Sequence, residues 1–225
     1  MDNLNISIIQ SNIFWENIEL NLSRFEKIID KIEASTDLIL LPEMFTTGFS
    51  MRSSELAEDM SGSTVSWMKA NAQRNNAVIA GTTIIRDRNS IFNRMIVAHP
   101  DGNVHHYDKR HLFRMADENS HFKSESTILD FKLKKWLIRP LICYDLRFPV
   151  WARNTTGYDL LFYAANWPQS RRDAWLTLLK ARAIENQCYV VGINRTGTDG
   201  NDAIYSGDSV VYEYPLWQPR LGFVE

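Results

Sequence analysis

With 225 residues, 44% of them hydrophobic and 23% charged, the chain has enough apolar surface for one substantial core and is not of disordered composition. Its 25 basic and 27 acidic residues give a formal charge of -2, too weak a positive field to hold phosphate backbones, so nucleic acid is excluded as the expected partner. Two cysteines, Cys143 and Cys188, are too few for the framework of a small disulfide scaffold. Met1 to Asn5 show no basic region leading into a long apolar stretch, so the expectation is a cytoplasmic chain with no membrane association and both thiols reduced.

Ile6 to Ile9 is a short β-branched run that predicts a strand, and Ile18, Leu22, Phe25, Ile29 and Ile32 then follow at helical spacing. Asp37 to Leu41 predicts a buried strand ended by Pro42, which leaves Glu43 just past a strand terminus. A helix over Val65 to Asn75 precedes strands over Ala77 to Ile85 and Ile91 to His99, joined by the polar turn Arg86 to Asn89. Asp101-Gly102 makes the next turn, Val104 to Asp108 a strand with Lys109 at its exit, and Arg110 to Ser126 a polar, irregular loop. Trp136 to Ile142 is a strand containing Pro140 and closing on Cys143. Leu160 to Ala165, a helix over Arg171 to Asn186, Tyr189 to Asn194 and Ser209 to Tyr212 complete the pattern. No repeat or linker marks a boundary, so residues 1–225 read as a single domain in which stacked sheets lie between helices, an α/β layered fold.

Glu43, Lys109 and Cys143 each follow a predicted strand, where α/β folds gather their sites. A thiol attacks only as thiolate, a carboxylate can take its proton, and an ammonium can stabilise both thiolate and oxyanion, so the three suit nucleophilic attack on an amide without metal or organic cofactor. Each also has a plainer reading: a buried structural cysteine after Leu141-Ile142, a solvated Lys109, an exposed strand end at Glu43. Cys188, beside Tyr189 and Val190, keeps the structural one. The five histidines match no metal-ligand spacing, and no Gly-rich phosphate loop occurs.

The words around the three candidates are Leu41-Pro42-Glu43-Met44-Phe45, Tyr107-Asp108-Lys109-Arg110-His111-Leu112-Phe113 and Cys143-Tyr144-Asp145-Leu146-Arg147-Phe148-Pro149. In that order they resemble the nitrilase superfamily of carbon–nitrogen hydrolases. The longer phrase through Thr46-Thr47-Gly48-Phe49, together with Ala164-Ala165-Asn166-Trp167-Pro168, is similar to its bacterial omega-amidase branch. The resemblance runs to about Val211. It implies a four-layer αββα sandwich and a Glu43–Lys109–Cys143 triad, with a second glutamate at Glu118 or at the competing Glu125. Tyr144, Arg147, Phe113 and Trp167 are candidates for oxyanion or substrate binding. Arg147 is either the cation for a substrate carboxylate or the partner of Asp145 or another acid in a structural ion pair. The implied activity is release of ammonia from the terminal amide of a small 2-oxo acid such as 2-oxoglutaramate. Another amidase, an N-carbamoyl hydrolase and a non-catalytic binding protein are the alternatives. The expected assembly is a homodimer; from about Tyr212 the sequence Glu213-Tyr214-Pro215-Leu216-Trp217 departs from the family's C-terminal arm, which commonly packs across the dimer.

Overall fold

The computed structural model of the chain describes residues 3–32 and 35–213. Its first half holds β1 (Ile6–Ile8), α1 (Ile18–Ile29), β2 (Leu38–Leu40), α2 (Ser53–Leu56), α3 (Ser63–Asn75), β3 (Val78–Asp87), β4 (Ser90–Ala98) and β5 (Val104–Asp108). The second half adds α4 (Glu118–His121), β6 (Phe131–Leu133), β7 (Trp136–Ile142), α5 (Pro149–Ala152), β8 (Leu160–Ala164) and α6 (Arg172–Asn186). It ends with β9 (Tyr189–Ile193), β10 (Thr196–Thr198), β11 (Ile204–Ser206) and β12 (Val210–Tyr212). One mixed sheet has the order β1-β2-β3-β4-β5, the other β12-β9-β8-β7-β6, and β10 and β11 pair separately.

The alternation of side chains along each strand sorts the apolar residues into two layers of core. On the outer face of the first sheet, Ile39, Ile79 and Ile96 pack with Phe25 and Ile29 of α1 and Met68 and Ala72 of α3. On its inner face, Leu38, Leu40, Val78 and Val97 join the core shared with β7, β8 and β9, which also takes in Trp175, Leu179 and Ala183 of α6. Covered on both faces, β2 reads in sequence as an unbroken apolar run. The layers are therefore α1 with α3, first sheet, second sheet and α6, the αββα sandwich that the resemblance implies. Gly192 on β9 lets α6 settle, since a Cβ there would lie 2.4 Å from Leu179 Cδ1 and 2.7 Å from Trp175 Cζ2. No helix among the described residues is long and apolar enough to cross a membrane.

Three expectations change. The hairpin ladder runs on to Asp87 opposite Ser90, so the turn is only Arg88-Asn89, with Arg88 at φ +53°; exposed polar residues can pair as well as turn. The segment 110–126 contains a 3₁₀ turn at Arg114–Ala116 and the single-turn α4. Strands β6, β10 and β11, three residues each, are too short to show a period. Pro140 is tolerated inside β7 because the ladder with β6 reaches only Ile138. The departure from the family's arm beyond Glu213 lies outside the described residues.

Candidate active site

The parallel strands of both sheets present their C-terminal ends to one cavity of about 400 Å³. Glu43 follows β2, Lys109 follows β5, Cys143 follows β7 and Asn166 follows β8. Glu43, Lys109 and Glu118 are fully buried, and Cys143 is 8% exposed. Buried charges persist only when paired and hydrogen-bonded, and these are. Lys109 Nζ donates to Glu43 Oε1 at 2.8 Å and to Glu118 Oε1 and Oε2 at 2.9 and 3.0 Å. Asn93 Nδ2 donates to the same two acids, at 2.8 Å to Glu43 and 3.2 Å to Glu118. The Phe113 N–H adds a bond of 2.6 Å to Glu118 Oε2.

Glu43 Oε2 accepts from the Asn166 N–H at 2.8 Å. A carboxylate offers about four lone-pair sites; three on Glu43 are filled, leaving one on Oε2. The Cys143 Sγ lies 3.9 Å from the Asn166 carbonyl oxygen. Burial first, and the Glu43 carboxylate second, push this thiol well above its ordinary pKa against the pull of Lys109, so it rests protonated. Burial alone would lower Lys109, but Glu118 and then Glu43 outweigh it and hold its pKa above normal. Burial also raises Glu118, opposed by Lys109 and assisted by Glu43.

The nucleophile candidate sits on a strained turn. Cys143 has φ +41°, a left-handed conformation that costs a non-glycine residue about 1–3 kcal/mol and lasts only where its surroundings impose it. Here they do. Buried Asp145 accepts from the Ile142 N–H at 3.0 Å and from the Tyr107 hydroxyl at 2.7 Å. Its other oxygen accepts from the His111 N–H at 3.0 Å and lies 2.8 Å from His111 Nδ1. Those bonds leave no place for Arg147, so the alternative of an Arg147–Asp145 ion pair is overturned. Arg147 lies instead over the Trp167 ring, 5.3 Å from its centre.

The structure thus brings Glu43, Lys109, Cys143 and Glu118 together, and Tyr144, Arg147, Phe113 and Trp167 line the cavity beside them. Glu125 falls in a separate hollow with Arg94 and His106. Cys188, likewise buried, lies at the opposite ends of the strands, beside β9's first residue. Among the described residues no group of three or more His, Cys, Asp or Glu side chains is placed to hold a metal ion.

The carbon–nitrogen hydrolase family model matches residues 5–214. The chain belongs to the carbon–nitrogen hydrolase family. Omega-amidase YafV of Escherichia coli (strain K12) is 48% identical over 213 residues, 94% of this chain and 82% of that protein. The 2-oxoglutaramate amidase of Bacillus subtilis (strain 168) is 36% identical over 213 residues, 92% and 82% of the two chains. Among solved structures, XC1258 from Xanthomonas campestris, a CN-hydrolase superfamily protein with an arsenic adduct in its active site, superposes with a TM-score of 0.93. Its identity is 42%, over 95% of this chain and 84% of that one.

Two polar residues of this carbon–nitrogen hydrolase escaped the reading of its sequence. Asn93 sits inside β4, a run read only for apolar periodicity. Its signal is a buried amide facing Thr82, whose hydroxyl donates to Asn93 Oδ1 at 2.8 Å and accepts from the Met44 N–H at 2.8 Å. Asn166 stands in the phrase that carried the branch resemblance, yet its role is local. Besides its N–H to Glu43 Oε2, its Nδ2 donates to the Glu43 carbonyl at 2.5 Å, tying the two sheets at the base of the cavity.

Proposed function

We propose that the chain is an omega-amidase that releases ammonia from the terminal amide of a short 2-oxo acid, 2-oxoglutaramate being the model substrate, through a thioester on Cys143. The observation that carries the reading is one cavity lined by the Cys143 thiol, by Lys109, which is paired with the buried Glu43 and Glu118 behind it, and, at the rim, by Arg147 without an acidic partner among the described residues. The likeness to the Escherichia coli omega-amidase and the Bacillus subtilis 2-oxoglutaramate amidase agrees with it.

In this reading the thiol proton moves to Glu43 as sulfur bonds to the amide carbon, so no free thiolate has to persist in a site where burial and Glu43 oppose it. The oxygen of the tetrahedral intermediate takes its negative charge next to Lys109 Nζ and the Tyr144 N–H. When the carbon–nitrogen bond breaks, Glu43 returns the proton to the leaving nitrogen, and ammonia departs. Water then attacks the thioester, giving its proton to Glu43, which hands it to the sulfur as the carboxylic acid is freed. Glu118, bonded to Lys109 through both oxygens, fixes where the ammonium stands. The same reading carries a homodimer and a cytoplasmic location, as the family resemblance implies.

Ammonia release is the test. The wild type should turn over 2-oxoglutaramate with a kcat/KM at least tenfold above that for unrelated amides of similar size, and equal rates across such a panel would defeat the substrate assignment.

A further inference from the structure

Two guanidinium groups face the cavity, and neither is neutralised. Arg147 lies over Trp167, and Arg171 lies over Phe113 with its Cζ 4.9 Å from the ring centre. Both line the cavity, and neither has an acidic partner among the described residues. The carboxylate on the same wall, Asp199, is already committed: it accepts from the N–H groups of Asn201 and Ala203 at 2.8 and 3.0 Å and from the Tyr205 hydroxyl at 2.8 Å. A guanidinium resting on an aromatic face keeps its in-plane N–H groups free, and that fork matches a carboxylate. Arg171 is also held in place. Its N–H donates to the Pro168 carbonyl at 3.0 Å, and its own carbonyl accepts from Trp167 Nε1 at 2.8 Å, so the tryptophan that carries Arg147 also fixes the turn that presents Arg171.

We propose that Arg171 is a specificity-determining residue, the second half of a two-guanidinium clamp that takes the far carboxylate of the substrate and disfavours a substrate with an ammonium beside it. The inference rests on the omega-amidase reading and deepens it. 2-Oxoglutaramate and glutamine have the same length and the same terminal amide, and differ at the carbon next to the carboxylate, carbonyl in one and ammonium in the other. An ammonium there would stand beside two guanidinium groups that have no salt-bridge partner among the described residues, while the Asp199 carboxylate on the same wall has three acceptor positions already taken, so the discrimination is electrostatic.

The test measures kcat and KM for 2-oxoglutaramate, glutamine and neutral pentanamide in the wild type, Arg171→Met, Arg171→Lys and a control. The control is Arg172→Met, whose guanidinium is paired with Asp208 at 2.8 Å and lies outside the cavity. Arg171→Met should lower kcat/KM for 2-oxoglutaramate about tenfold to hundredfold, mainly through KM, as expected for loss of charge-assisted hydrogen bonds. Its preference for 2-oxoglutaramate over both pentanamide and glutamine should fall at least tenfold. Arg171→Lys, which keeps the charge and loses the fork, should fall between, and Arg172→Met should hold both preferences within twofold. A wild type that prefers 2-oxoglutaramate while Arg171→Met keeps that preference, or loses all three substrates equally, overturns the clamp and leaves the omega-amidase reading intact. A wild type with no preference for 2-oxoglutaramate over pentanamide overturns that reading itself, and the clamp with it.

Discussion

Replacing Lys109 by methionine keeps most of the side-chain volume and removes the ammonium that joins Glu43 to Glu118. Three contacts of 2.8 to 3.0 Å disappear, and two fully buried carboxylates are left facing each other without a cation. Removing one partner of a buried ion pair costs about 3–5 kcal/mol. At roughly 2–4 °C per kcal/mol for a chain of this size, the melting temperature should drop by about 6–20 °C. Turnover should fall further than folding does. Losing a donor where an oxyanion develops costs about a hundredfold to a thousandfold in kcat, and here a charge goes with it. Calorimetry scanned through the transition, and ammonia release assayed below the variant's melting temperature, separate the two effects. A second substitution sharpens the separation: in Lys109→Met/Glu118→Gln one uncompensated charge is gone, so part of the stability should return, by about 0.5–3 kcal/mol for directly coupled sites, with no return of kcat. A Lys109→Met protein turning over within tenfold of wild type, or a double variant that regains activity along with stability, would refute the reasoning.

Two further outcomes follow from the thiols. Cys143→Ala should abolish turnover, and rapid-quench mass spectrometry of the wild type should find the acyl group on Cys143, an acyl group on Cys188 counting against the nucleophile assignment. The second concerns alkaline stability. Burial pushes Cys188 up to about 12 and Cys143 well above its ordinary value, so in both the folded state keeps a proton that the unfolded state releases. Both pKa values are raised, so the stability they contribute is complete below the unfolded value, about 8.5, and is lost as pH rises from there toward the folded value. Unfolding free energies from urea titrations at pH 8, 9 and 10 should decline as pH rises, and Cys188→Ala should reduce that slope by up to one proton, about 1.4 kcal/mol per pH unit. An unchanged slope in that variant would show that Cys188 does not titrate as its burial requires.

How far the residues announced the structure depended on what each had to do. The strands before Glu43 and Cys143 are apolar runs, so their stops locate both residues, while Lys109 follows the short, mixed strand Val104–Asp108 and is marked by the Asp101-Gly102 turn that starts it. Glu118 lay within a segment whose single helical turn is too short for any periodicity, and only contact with Lys109 separates it from Glu125. Asn93 was hidden for a different reason: its amide is one polar position on an antiparallel strand, and nothing local reveals that β4 begins where the parallel strands end. Arg147 has two candidate kinds of partner in its sequence context, a substrate carboxylate and a protein acid. The choice between them turned on Asp145, whose acceptors are filled by Tyr107 and His111, residues more than 30 positions away in sequence. Short strands and long-range acceptor counts are settled by tertiary contact, and a single sequence carries neither.

The charged cluster and the thiol come from opposite sides of the seam between the sheets. Glu43, Asn93, Lys109 and Glu118 all precede residue 119, while Cys143 and Asn166 follow strands made later. On a ribosome, a nascent chain can therefore own its acids and its lysine before it has the sulfur, and the sulfur meets its base only when the second sheet closes on the first. In the proposed chemistry the capacity to form a thioester therefore waits for the docking of the two halves.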